Sequence, residues 1–243
     1  YADETGGEGV LYYDDQKVID FCKDANRAGL QIELHAIGDK AFDQACRAIK
    51  AALDDYPRED HRHGIIHDCL PTPEGIQICR DYHIQMPMQS AFIGWKQEPD
   101  DYLEHILGHD RLEKLNPIKT FRDNDIMVSF GSDAPCTTPD PIAWMDRAVN
   151  NDNAGQAVSV QDALQMCTYN GAWAAFDEQE RGSLEAGKIA DMAVLSENPY
   201  TVPKDKLSCL RVERLYLGGK PYESCRESIL PMMLRGLTSR NKA

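Results

Sequence analysis

The sequence is short of basic residues and has no long hydrophobic run. Its 26 lysines and arginines stand against 40 aspartates and glutamates, which gives a formal net charge of -14 at pH 7. A nucleic-acid-binding surface needs a basic patch, and the one basic-leaning stretch is the tail from Arg235 to Lys242. No run approaches the roughly 18 uninterrupted apolar residues of a membrane helix. We therefore expect neither a nucleic-acid partner nor membrane insertion.

Cysteine pairs at metal-binding or redox spacing are also missing. The eight cysteines are scattered, without a Cys-x-x-Cys pair, over segments patterned as helix and strand interiors. Scattered thiols of this kind are typical of a reducing compartment, and the acidic start of the chain does not resemble a signal peptide. We expect a cytoplasmic location and buried structural cysteines, with Cys136 alone near a site at Asp133.

The first three quarters of the chain alternate between helices and short strands. The 243 residues, 42% of them hydrophobic, suffice for one α/β barrel or two smaller domains. Short apolar runs predict strands, and apolar spacing with capping residues predicts helices. The predicted strands are Leu30 to His35, Gly64 to His67, Ile84 to Met88 and Ile126 to Gly131. The predicted helices are Asp15 to Ala28, Asp39 to Leu53, Pro73 to Tyr82, Leu112 to Asn124, Asp140 to Asn150 and Ser159 to Phe176.

One connection in this series is unusually long. Residues 89 to 111 carry no predicted helix or strand, whereas ordinary connections run about 2 to 6 residues. A connection of this length is typical of a functional lid or an insertion.

After residue 181 the pattern changes from helices to strands. Gly182 to Gly187 is a turn-rich link, Ile189 to Leu195 is a predicted strand, and Arg211 to Leu217 with Lys220 to Glu223 is a predicted hairpin. Strands that follow helices instead of alternating with them form a separate small β layer. We therefore divide the chain into residues 1–181, residues 182–225 and a tail, residues 226–243.

Three of the four strands in the alternating part lead into a possible metal ligand. The ligands are His35, His67 and Asp133, which are 32 and 66 residues apart, about one and two strand-plus-helix units. A repeated βα architecture would bring all three to the same end of one parallel sheet. Imidazole nitrogen and carboxylate oxygen bind zinc and similar ions. A lone strand-end histidine is more often structural, but the coincidence of three favours a metal site.

Four ordered segments carry a resemblance to a known family. They are residues 35–41 (HAIGDKA), 62–67 (RHGIIH), 131–135 (GSDAP) and 182–191 (GSLEAGKIAD). In order and spacing they resemble the metal-dependent amidohydrolase superfamily, most closely the branch called amidohydrolase family 3. The resemblance extends from about His35 to Glu223.

This resemblance implies an α/β fold that is the carboxy-terminal half of a TIM (β/α)8 barrel, followed by strands of a small β-sandwich. His35 would end barrel strand five, His67 strand six and Asp133 strand eight. All three are implied ligands of a divalent metal, with zinc expected and one or two ions in the complete protein. Asp133 is also the implied general base. The implied reaction is hydrolysis of a non-peptide C–N bond in a small-molecule amide, formamide or cyclic amide.

The sequence departs from the family pattern in two places. No His-x-His pair suited to barrel strand one precedes His35, so we expect these residues to form only the carboxy-terminal half of the barrel. Ile66 stands where the family commonly has glutamate. Because ligands are missing, we expect the chain alone to bind zinc weakly and to lack activity. We also expect a homo-oligomer that covers the open barrel face.

Two other interpretations remain open at this point. One is a degenerate, non-catalytic module that uses the half-barrel for binding or assembly. The other is a mononuclear-metal deaminase that uses His35 and Asp133, with His67 orienting the substrate. The metal content of the complete protein separates the three, because two ions, none and one are expected respectively.

Overall fold

The first part of the fold is a series of parallel strands with helices packed against them. The computed structural model describes residues 9–222. Strand β1 (Glu33–Ala36) pairs with β2 (Gly64–His67), and β3 (Met86–Met88) pairs with β4 (Val128–Phe130), both in parallel. A parallel bridge from the first residue of β2 to the residue before β3 joins the two pairs. The carboxyl ends of all four strands therefore lie at the same edge.

Helices connect the strands and follow them. They are α1 (Asp15–Arg27), α2 (Asp39–Asp55), α3 (Pro73–Asp81), α4 (Asp100–Leu107), α5 (His109–Leu112), α6 (Ile118–Asp123), α7 (Pro141–Val149), α8 (Val160–Cys167) and α9 (Tyr169–Ala174). Three 3-10 turns lie at Ser90–Phe92, Ala154–Gln156 and Lys204–Cys209. None of the helices in residues 9–222 has the length and apolar character needed to cross a membrane.

Helix α2 shows how the apolar pattern builds the core. Phe42, Cys46 and Ile49 recur at a spacing of three to four residues, and all three side chains are fully buried. The Phe42 ring lies 6.2 Å from that of Phe121 on α6. These helix residues belong to one core cluster with buried strand residues such as Ile65 and Met86, so the core lies where the helices pack on the strands.

The long connection after β3 is not structureless, and the sequence-based prediction for it was wrong. It contains a 3-10 turn and two helices, α4 and α5. Helix α4 has two acidic residues, Asp100 and Asp101, in its first turn, where the helix dipole favours negative charge, and it ends at Gly108 with φ of 80°. Its apolar stripe is short, which is why periodicity alone missed it.

Two predicted helices are each divided in the structure. The helix predicted from Leu112 to Asn124 contains Pro117, which lacks the backbone N–H that a helix interior needs. In the structure α5 ends at Leu112, and α6 begins at Ile118, directly after the proline. The helix predicted from Ser159 to Phe176 breaks at Thr168, whose backbone is not helical (φ -127°, ψ -88°).

The strands after residue 181 form a separate antiparallel sheet. Strand β5 (Met192–Leu195) pairs with β6 (Val212–Leu217), which pairs with β7 (Lys220–Pro221). The predicted strand and hairpin are thus present, except that Glu223 lies outside the described residues. The predicted tail, residues 226–243, also lies outside them.

The cysteines of the described range are all free thiols. Cys22, Cys46 and Cys79 are fully buried, as expected, but Cys136 and Cys209 are exposed. The expectation that each cysteine is buried was therefore wrong for these two, because both lie in connecting segments on the surface.

Candidate metal centre and adjoining cavities

The structure brings His35 and His67 together at the carboxyl edge of the sheet. His67 ends β2 opposite Ala36, the residue that follows His35 in β1. The two imidazole centroids are 4.5 Å apart with an interplanar angle of 77°. His35 is exposed, whereas His67 is 6% exposed. Rings at this distance can direct one nitrogen each toward a shared point.

The backbone at these strand ends takes an uncommon conformation. His67, Asp68 and Asp133 have φ angles of 80°, 51° and 52°, in the left-handed region that non-glycine residues rarely adopt. Strained residues of this kind cluster at functional sites, where the surrounding structure holds them in place.

Two other histidines, His61 and His63, are structural and provide a contrast. The backbone N–H of Ile32 donates to Nδ1 of His63, whose Nε2 then donates to Oδ1 of Asn26. The backbone N–H of His63 donates to Nδ1 of His61, and Nε2 of His61 donates to the carbonyl of Tyr82. Both rings are buried with both nitrogens occupied, and burial lowers the pKa of His63 to about 3.

His35 and His67 are not used in this way. Within residues 9–222 the His35 ring makes no hydrogen bond, although it contacts the His67 ring. Burial and the neighbouring His35 lower the pKa of His67, while Asp133 and the Gln89 amide raise it. The net effect keeps His67 neutral near pH 7, which is the form in which imidazole binds metal ions.

Asp133 lies three residues beyond β4 on an exposed turn. It is close enough to His67 to act on the pKa of that ring. Within the described range, however, no three His, Cys, Asp or Glu side chains are grouped closely enough to hold an ion by themselves. The structure therefore pairs two of the three predicted residues and brings the third within electrostatic range.

Two carboxyl groups near the site were missed by the sequence analysis. Asp68, next to His67, is fully buried, neither carboxyl oxygen has a hydrogen-bond partner in the described range, and burial raises its pKa well above the ordinary value. Glu33 lies on the same face of β1 as His35 and accepts a hydrogen bond from Gln85. Burial of its carboxyl raises the pKa of Glu33 to about 7, although the residue as a whole is exposed. The sequence signal that could have found Glu33 is the alternation of side chains along a strand, which places residue 33 on the same face of β1 as His35.

A cavity of about 500 Å³ opens beside His35. Its lining is mostly apolar and combines the segment before α1, the start of α2, the loop after β2 and the long connection. The lining residues used below are Tyr13, His35, Ile37, Gln44, Leu107 and Leu115. The cavity is therefore continuous with the face on which the paired histidines lie.

A second cavity of about 490 Å³ lies on the other side of the long connection. Phe92, whose ring centroid is 6.1 Å from that of His67, forms part of its wall together with Leu103. Leu115 lines both cavities. The long connection thus separates the two spaces and contributes a wall to each.

The comparisons with known proteins identify the family to which this chain belongs. The amidohydrolase family model matches residues 1–222. The chain therefore belongs to the amidohydrolase family, as the four sequence segments predicted.

Two curated relatives match most of the chain. It is 26% identical over 231 residues to the putative amidohydrolase YtcJ of Bacillus subtilis, a match that covers 90% of this chain and 42% of that protein. It is 29% identical over 227 residues to the N-substituted formamide deformylase of Arthrobacter pascens, covering 87% of this chain and 40% of the deformylase. The chain thus spans about two fifths of the length of these relatives.

A solved structure has a similar fold. An uncharacterized metal-dependent hydrolase from Pyrococcus furiosus superposes with a TM-score of 0.69 and 26% identity, over 79% of this chain and 39% of that chain. The α/β architecture described above is therefore shared with a metal-dependent hydrolase.

Proposed function

We propose that the chain is part of a metal-dependent hydrolase that cleaves non-peptide C–N bonds in amides, formamides or cyclic amides. The observation that carries the proposal is the His35–His67 pair, two adjacent imidazoles at the carboxyl edge of a parallel sheet. Membership of the amidohydrolase family supports this reaction class.

The residues present fit a divalent metal. Neutral imidazole nitrogens and a nearby carboxylate are the donor set that zinc and similar ions prefer. The contrast with His61 and His63, whose nitrogens are all occupied by structural hydrogen bonds, supports His35 and His67 as ligands. Asp133 is the proposed third ligand because it follows β4, whose carboxyl end lies at the same edge as those of β1 and β2. We favour zinc.

The proposed mechanism divides the work between the metal and the side chains. His35, His67 and Asp133 would hold a divalent ion, which when bound would supply Lewis acidity toward water and the scissile carbonyl. Asp133 accepts the proton of the attacking water at its carboxylate and delivers it to the departing nitrogen. Its position on an exposed turn after β4 gives that carboxylate access to solvent and substrate.

We further propose that the four parallel strands are strands five to eight of a (β/α)8 barrel, and that β5 to β7 belong to a small β-sandwich. Strand order along the chain and parallel pairing throughout support the first assignment. The small antiparallel sheet supports the second. On this proposal, a complete metal site needs ligands from strands that residues 9–222 do not supply.

Metal titration of the chain tests the ligand assignment. We expect zinc to bind weakly, to be removed by dialysis, and to raise the melting temperature progressively as its free concentration rises above the dissociation constant. His35→Ala and His67→Ala should each abolish this stabilisation, while His83→Ala, an exposed histidine outside the pair, should not. Calorimetry and metal analysis after dialysis provide the readouts.

Two results would contradict the proposal in different ways. Zinc binding that survives both alanine substitutions would remove His35 and His67 as ligands. Tightly held, stoichiometric metal with turnover of N-acyl or N-formyl compounds would show that the site is complete without further strands.

We also propose that the chain self-associates. Large apolar side chains remain exposed around the small sheet, where Leu184 is 80%, Val212 49% and Leu217 48% exposed. Contiguous exposed apolar patches usually mark a contact surface, and we propose that these side chains form one. Light scattering coupled to size exclusion should give at least a dimer, and a monodisperse monomer would refute the proposal.

A further inference from the structure

We propose that the cavity beside His35 binds the apolar substituent of an uncharged amide substrate. The inference rests on the proposed function, because His35 would hold the reacting end of the same molecule. It goes further in naming the chemistry of the other end.

The size and lining of the cavity carry the proposal. A volume of about 500 Å³ is within the range of about 300 to 1,000 Å³ that is typical of small-molecule sites. Its wall is built largely from aliphatic and tyrosine side chains, and Ile37, 52% exposed, leads from His35 into it. An apolar group placed there would be removed from water while its polar end remains at His35.

The cavity wall is held in place by a buried amide. Gln44 on α2 is 9% exposed, and its Nε2 donates to the carbonyl of Tyr13 at 3.0 Å and to Asp15 at 2.7 Å. These bonds fasten the segment before α1 onto α2. The wall therefore exists before any ligand binds, which lowers the entropic cost of binding.

The charges of the lining favour an uncharged occupant. Asp39 and Lys40 are adjacent in the first turn of α2 and opposite in sign, so together they contribute no net charge. Moving a charged substituent from water into an apolar space is costly unless it is paired. An alkyl or aryl group has no such cost and gains from burial.

The long connection supplies the outer wall, and its helix α4 provides a matched pair of residues. Leu107 lines the cavity beside His35, whereas Leu103, one turn earlier on the same helix, lines the second cavity. Both leucines are half-buried. Replacing either leucine with alanine removes the same atoms from the same helix. The two replacements, however, enlarge different cavities.

The experiment measures binding of N-alkylformamides of increasing chain length to the metal-free protein by NMR titration. Each added methylene that enters the cavity should tighten binding by about fourfold, the equivalent of about 0.8 kcal/mol. Leu107→Ala should weaken binding of the longest compound by at least about fivefold and flatten the chain-length dependence. Leu103→Ala should leave both unchanged.

A second pair of variants, both at exposed residues, shows whether weaker binding could instead be due to partial unfolding. Ile37→Ser alters an exposed side chain at the cavity and should weaken binding, whereas Leu30→Ser, at a residue that is 59% exposed and outside the cavity lining, should not. Equal effects of the two leucine variants, or affinities independent of chain length, would overturn the proposal.

Zinc titration of the same samples separates this inference from the proposed function. Chain-length-dependent binding without zinc binding at His35 and His67 would contradict the proposed metal ligands and leave the cavity proposal standing. Zinc binding as expected without any effect of chain length would sink the cavity proposal alone.

Discussion

Replacing Arg62 with alanine is expected to lower the free energy of unfolding by about 3 to 5 kcal/mol, the usual cost of removing one partner of a buried ion pair. The guanidinium donates to both carboxylate oxygens of Glu178, at 2.8 and 2.9 Å. Arg62 and Glu178 are 7% and 8% exposed. Alanine would leave the Glu178 carboxylate buried without its partner.

The surroundings of Arg62 add to this expected loss. The guanidinium carbon lies 4.6 Å from the Trp173 ring centroid and 4.2 Å from that of Phe176, so the planar group is held between aromatic faces. Hydrogen bonds from Arg62 lower the pKa of Glu178, which keeps the pair ionised at neutral pH. The contact ties the entry to β2 to the segment after α9, residues that are 116 positions apart.

Urea unfolding at neutral pH measures the effect, with two comparison variants. Arg62→Lys keeps the charge but loses the two-pronged donation and the planar stacking, so an intermediate loss is expected. Arg27→Ala breaks an exposed pair with Asp55 and should cost no more than about 1 kcal/mol. If Arg62→Ala costs no more than Arg27→Ala, the buried pair does not stabilise the fold.

The parts of the fold that the sequence predicted are those determined by local patterns. Strands β1 to β4 and helix α2 follow short apolar runs and a regular apolar stripe, and both lie where the sequence indicated. Helix α4 was missed because its stripe spans only eight residues. The break at Pro117 could have been predicted, since proline lacks the N–H that a helix interior requires.

For the candidate site, spacing predicted that His35 and His67 would meet, and their rings do. The contacts that other side chains make around these histidines could not be predicted from spacing. The Arg62–Glu178 pair depends on three-dimensional proximity across 116 positions, and no local pattern marks it. The unpartnered state of Asp68 depends on which side chains surround it, which only the folded arrangement determines.

Gly75→Ala is expected to destabilise the protein by about 1 to 3 kcal/mol, the typical cost of overpacking a core. Helix propensity alone predicts the opposite, because alanine is favoured over glycine in a helix interior by about 1 kcal/mol. The deciding fact is the contact with α2. A Cβ atom at residue 75 would lie 2.4 Å from Cε1 of Phe42, a ring that is fully buried, so the neighbouring side chains would have to shift to admit it.

The same substitution at Gly171 is the matched control, because the space around that helical glycine is open. Nothing lies within 4 Å of a Cβ atom built there, so Gly171→Ala should stabilise the protein by up to about 1 kcal/mol. Phe42→Leu lowers stability by itself but should cost less in the Gly75→Ala background, since the smaller side chain makes room for the new methyl group. Urea unfolding of the wild type, the single variants at residues 42, 75 and 171, and the double variant gives the signs. A stabilising Gly75→Ala, or a double variant less stable than the sum of its single changes, would mean that α2 and α3 are not packed as closely at Phe42 as the structure has them.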